Sequence, residues 1–164
     1  MQNRMLIRGA LLLAIALMAQ QLRLVIPLPP LAMTLVIGTM VNCSLVLAAK
    51  YAPLSIGVAM CLALPVVAFL QGHLPLPFLI PVVFLGNAVF VGLCHHWWNK
   101  AMRVIAPIVK AFTMYVTALF MLAEFLPSTV AAQAILFGMG WPQLITAFLG
   151  IILAEQLEKR TSLS

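Results

Sequence analysis

Val104-Ile-Ala-Pro-Ile-Val-Lys110-Ala-Phe-Thr-Met-Tyr-Val-Thr-Ala-Leu-Phe-Met-Leu-Ala-Glu124-Phe125 carries two charged side chains in a run long enough to cross a bilayer as one helix. Five more apolar windows flank it: Leu6 to Ile26, Leu31 to Ala49, Leu54 to Leu70, Leu76 to Cys94, and Pro142 to Leu157. Prolines and short polar stretches separate them: Pro27, Pro29 and Pro30; Tyr51 to Pro53; Gln71 to Pro77. Leu126 to Trp141 reads as a structured outer loop, broken at Pro127-Ser128 and apolar enough from Val130 to Leu136 to be partly helical. Trp141-Pro142 then opens the sixth window, with proline where a helix tolerates it.

Composition agrees with these windows. The 164 residues are 65% hydrophobic and 7% charged, whereas a soluble domain carries roughly 25% charged residues. The expected fold is therefore an all-α integral membrane protein, a single six-helix transmembrane domain over residues 1–164. The net charge of +6 suits membrane orientation better than nucleic acid. With the N-terminus inside, Arg4, Arg8, Lys50, Lys100, Arg103, Lys159 and Arg160 all fall at cytoplasmic ends or loops. Arg23 alone falls outside, and Lys110 lies within the fifth helix. Both termini are thus expected in the cytoplasm. Arg4 and Arg8 before an apolar run also resemble a signal peptide, but the run continues to Ile26 and the charge pattern works only if it spans. Cys43, Cys61 and Cys94 sit in apolar runs without metal or disulfide spacing and read as buried thiols.

Polar side chains within such windows ask for a reason, because a central Lys costs about 2.5–3.5 kcal/mol on insertion scales. Lys110 shares a helical face with Ala106, Thr113, Thr117 and Glu124, a stripe that looks into the bundle unless Lys110 snorkels to the inner headgroups. Thr34, Gly38 and Asn42 form a second stripe, and Gly86-Asn87 lies at mid-depth in the fourth helix. Each Asn either bonds across to a neighbouring helix or contributes to a shared polar site. Gln20, Gln21, Arg23, Gln71, His73, Glu124, Trp141 and Gln143 gather at the outer end, as a cavity or as solvated loop ends. His95-His96-Trp97-Trp98-Asn99-Lys100 reads as an interfacial anchor rather than a metal site.

The acids restrict mechanism further. There is no Asp, and of Glu124, Glu155 and Glu158 two sit in the C-terminal tail. No intramembrane carboxylate pair, HExxH, nucleophile with its base, or P-loop is present, so neither an enzyme nor a self-powered pump is expected, and no cofactor or metal.

Ala10-x-x-x-Ala14, Gly38 to Asn42, Gln71-Gly72-His73-Leu74-Pro75-Leu76-Pro77, Gly86-Asn87 and Trp141-Pro142-Gln143, in this order over nearly the whole chain, resemble the substrate-binding S components of energy-coupling factor (ECF) transporters. The resemblance implies a six-helix subunit in a bacterial-type plasma membrane that binds a small water-soluble vitamin or related micronutrient at its outer face under loop 1. It implies as partners a transmembrane coupling subunit, docked on Ala10 and Ala14, and two cytoplasmic ATPases that supply the energy while the subunit topples. Substrate binding would fall to Arg23, Asn42, Asn87, Lys110, Trp141 and Gln143, the two cations suiting a carboxylate and Trp141 a planar ring. Loop 1, Pro27 to Pro30, is short for a lid. Competing expectations are an assembly subunit without ligand and a small oligomeric channel, with a membrane enzyme behind both.

Overall fold

The computed structural model describes residues 2–125 and 130–161. These form seven helices and, among the described residues, no strand: α1 Gln2–Val25, α2 Pro30–Tyr51, α3 Leu54–Leu70, α4 Leu79–His96, α5 Met102–Phe125, α6 Val130–Met139 and α7 Trp141–Arg160. By length and hydropathy, α1, α2, α4, α5 and the stretch Val130–Arg160 are each sufficient to cross a membrane, while α3 is equally apolar but has 17 residues. The chain is an all-helical membrane bundle.

Each window read from the sequence contains a helix, with α4 starting at Leu79 rather than Leu76 and two further differences. The expected outer loop is helix α6 from Val130 on, packed against α5 and α7; Pro127-Ser128 lies outside the described residues. Gly140, with φ −93° and ψ −116°, ends α6 and turns the chain into α7, whose first turn carries Pro142. Second, α7 does not end in a tail after Leu157. It runs to Arg160, because Glu155 and Glu158 have partners on other helices. Glu158 Oε1 and Oε2 lie 2.5 and 2.6 Å from Lys50 Nζ, at the end of α2, and Glu155 lies 2.8 Å from Arg103 on α5. The Trp98 ring lies between the two cations, 4.4 Å from Lys50 Nζ and 5.5 Å from Arg103 Cζ. One end of the bundle is therefore closed by ion pairs and an aromatic ring, and His95 Nδ1 approaches Ala49 O at 2.6 Å beside it.

Helix α2 is the central element, packed on α1, α3, α4 and α7. Lipid tails give apolar helices no hydrophobic reason to associate, so close backbone approach and polar bonds hold them together. Glycines make that approach possible. A Cβ on Gly150 of α7 would stand 2.6 Å from Asn42 Cβ and 2.9 Å from Cys43 N, and one on Gly38 would stand 2.8 Å from Thr146 Cγ2. Between α4 and α5, Gly86 accommodates Met114 in the same way. Around these contacts Leu45, Val46, Met60, Leu64, Phe90 and Val91 form the main core, and Leu79, Val82, Met114 and Ala118 a second one nearer the other end. The three cysteines are free and buried.

Candidate functional site

At the end of the bundle opposite the ion pairs, α3 stops in a way that shapes a cavity. Gly72 takes φ +72°, His73 N–H donates to Ala68 O at 2.8 Å, and Gly72 N–H to Phe69 O at 2.9 Å. This is the double bond of a Schellman cap, which only a residue free of a Cβ adopts without strain. It folds His73 and Leu74 back over the end of α3. They line a basin of about 390 Å³ together with Gln20 and Arg23 of α1, Thr34 of α2, Gln143 of α7, and Ile135 and Met139 of α6. Beneath the basin, and sharing its walls, a chamber of about 150 Å³ reaches down to Asn42, Asn87 and Lys110.

The chamber floor is a polar cluster in an apolar core. Lys110 is 2% exposed, Asn42 2% and Asn87 4%. Lys110 Nζ donates to Asn42 Oδ1 and lies 5.1 Å from the centre of the Phe90 ring. Asn42 Nδ2 donates to Thr146 Oγ1 at 3.1 Å, and that hydroxyl donates to Gln143 O at 3.2 Å. The amide of Asn42 is thus used on both sides and holds α5 against α2 and α7. Asn87 makes no side-chain hydrogen bond among the described residues, and no carboxylate lines either part of the cavity. Snorkelling is excluded for Lys110, since its ammonium points into the bundle.

The rim holds one exposed cation and two buried groups that lack a partner. Arg23 has no ion pair among the described residues, while Gln20 Oε1 and His73 Nε2 are buried without a hydrogen-bond partner; the Gln20 amide nitrogen itself donates to Leu64 O at 3.2 Å. Burial, and then the charge of Arg23, hold the His73 imidazole below its ordinary value of 6.5.

Five of the six expected binding residues, Arg23, Asn42, Asn87, Lys110 and Gln143, meet on this one cavity. Trp141 does not. It is 44% exposed and packs edge-on to Phe137 at 5.3 Å, on a surface shared with Tyr115 and Gln133. The reason is helical geometry: two positions rotate a side chain by about 200°, so Trp141 and Gln143 cannot share a face. Thr146, three positions after Gln143, does share it, and that spacing is the signal by which it could have been found. The stripe on α5 also divides. Thr117 donates back to Thr113 O at 2.6 Å and Glu124 is exposed; of these residues only Lys110 reaches the cavity. Loop 1 does not line the cavity either, where α6 does. Ala10 and Ala14 lie exposed on one face of α1, turned away from Gly9, which packs on Ile56 of α3.

Compared with family models, with curated proteins and with solved structures, the chain matches none.

Proposed function

We propose that the chain is the solute-capturing subunit of an ECF-type importer, which binds a small water-soluble vitamin or related micronutrient and performs no chemistry itself. The observation that carries this reading is the blind cavity. It opens at one end of the bundle, ends on the buried Asn42, Asn87 and Lys110, and is backed at the far end by the Lys50–Glu158 and Arg103–Glu155 pairs. A channel needs a polar path to both faces, and a packing subunit has no use for an ammonium buried without a counter-ion.

Six spans follow if α3, at 17 residues, crosses near the lower limit of length and α6, at 10 residues, stays within one leaflet. Seven of the nine basic residues then lie at the end of the bundle that carries both termini, which is the cytoplasmic end by the positive-inside rule, and the cavity faces outward. In a bacterial-type plasma membrane, Ala10 and Ala14 would receive a helix of a transmembrane coupling subunit, their small side chains permitting close approach, and two cytoplasmic ATPases would supply the energy.

Affinity purification of the tagged chain from its native membrane, followed by native mass spectrometry, tests this. The expected result is a retained small molecule and co-purified coupling and ATPase subunits, the latter lost in Ala10→Leu/Ala14→Leu. A chain that carries neither partner nor solute would refute the proposal.

A further inference from the structure

The floor and the rim of the cavity make different chemical demands. Lys110 spends one of its three N–H donors on Asn42, whose own amide is already committed to Thr146. Asn87, 4% exposed, adds an amide with no partner among the described residues. The floor is therefore rich in donors and carries a positive charge that no acid in the cavity balances. A cationic solute would meet Arg23 and then Lys110 with nothing to neutralise it, and a neutral one would leave the ammonium without a counter-ion in a medium of low dielectric. A carboxylate supplies the missing charge and accepts from both side chains.

The walls are equally selective. Ile37, Leu64, Ala68, Leu74, Val83 and Met139 are apolar, and no Phe, Tyr or Trp lines either part of the cavity. Nothing here stacks on a planar ring, now that Trp141 lies elsewhere. Thr34 and Asn42, both on the cavity wall, are eight residues apart on one helix, so the site runs on the order of 12 Å from rim to floor. At the rim, the Arg23 guanidinium, His73 Nε2 and Gln20 Oε1 offer hydrogen bonds to a second polar group.

We infer that the solute is an aliphatic carboxylic acid with a second hydrogen-bonding pole at its far end, bound extended with its carboxylate on Lys110 and Asn87 and the far pole on Arg23. The inference rests on the cavity being a solute site. It names the chemistry of that solute and replaces stacking by two-ended polar recognition.

The test uses the full chain in lipid nanodiscs, titrated calorimetrically with straight-chain monocarboxylates, α,ω-dicarboxylates, their half-amides and their diamides, each at graded length. Dicarboxylates and half-amides of one preferred length are expected to bind about ten- to hundredfold more tightly than the monoacid or the diamide, the range that one charge-assisted hydrogen-bonded contact supplies. Lys110→Met lowers affinity for every acid. Arg23→Ala, at an exposed position whose removal leaves the core intact, lowers affinity for the two-ended acids alone, to the level of the monoacid. If diamides, amines or flat aromatic compounds bind best, or if Arg23→Ala weakens mono- and dicarboxylates alike, the two-ended acid is wrong while solute capture stands. If no probe binds and native mass spectrometry finds no retained molecule, both readings fall.

Discussion

Replacing Asn42 by Leu is the most informative perturbation of the bundle, because Asn42 links three helices through one amide. The substitution keeps volume and apolar contact but removes the acceptor of the Lys110 ammonium and the donor to Thr146. Loss of a hydrogen bond to a buried charge costs about 1.5–3 kcal/mol and loss of a neutral one about 1 kcal/mol, so Asn42→Leu should destabilise by about 2.5–4 kcal/mol. In a Lys110→Met background the ammonium is gone and the Asn42 oxygen is already stranded, so the same change loses the Thr146 bond at about 1 kcal/mol but relieves about 1–3 kcal/mol of unsatisfied acceptor, and should be neutral or stabilising by up to about 2 kcal/mol. The cycle therefore predicts a coupling of at least about 2.5 kcal/mol, well above the ~0.5 kcal/mol within which independent sites add. Lys110→Met alone removes a buried charge that costs about 2.5–3.5 kcal/mol in the membrane and strands one amide oxygen at about 1–3 kcal/mol, so it should be close to neutral or mildly stabilising. Reversible unfolding of the four proteins in mixed micelles by an ionic detergent, followed by helical circular dichroism, measures all terms. Additive effects would show that Asn42 does not carry the ammonium and would remove the physical basis of the floor.

Other outcomes follow from individual contacts. Gly150→Ala should destabilise by about 1–3 kcal/mol, since its Cβ would press on Asn42 Cβ and the Cys43 backbone, whereas Gly138→Ala meets nothing within 4 Å and should be neutral or stabilising by about 0.5–1 kcal/mol in the same assay. Glu158→Gln should cost about 1 kcal/mol and make stability less sensitive to added salt, because it opens the half-buried pair with Lys50. His73 is held below its ordinary 6.5, so the unfolded chain binds the proton more readily than the folded one. Its contribution is whole above 6.5 and is lost as pH falls from there through the lowered value. Thermal unfolding should fall more steeply on acidification through that window in the parent protein than in His73→Gln, and parallel curves would contradict it.

Much of the site was legible because the membrane makes polar groups expensive. Asn42, Asn87 and Lys110 stand out as the few such side chains deep in apolar windows, and the structure brings all three to one chamber. What could not be read was tertiary. Nothing in the neighbourhood of Glu155 and Glu158 announces that Lys50 and Arg103 stand beside them, so the two acids read as a C-terminal tail although both lie within α7, which runs on to Arg160. Likewise Val130 to Met139 is helical and its residues Ile135 and Met139 form cavity wall, which local apolarity alone does not distinguish from a loop. Trp141 is a different case, since it does not line this cavity. The resemblance and its planar ring put it with Gln143, when the helical period turns the two to different surfaces.

The placement of charge gives the bundle a direction. Two of the three acids are consumed in ion pairs at one end, where each basic partner also lies near Trp98, so Lys50 and Arg103 are neutralised and that end is closed. The third, Glu124, is exposed on α5 and does not line the cavity. Lys110 and Arg23 are thereby left as cations facing the same space with no protein carboxylate to answer them. A core lysine without an acid is costly to the fold, and the Asn42–Thr146 relay offsets only part of that cost. The remainder is a standing preference for an anion entering from the rim. It vanishes if an acid is supplied from within, so Asn87→Asp should stabilise the bundle and at the same time suppress binding of every carboxylate probe, an opposition that a purely structural role for Lys110 would not produce.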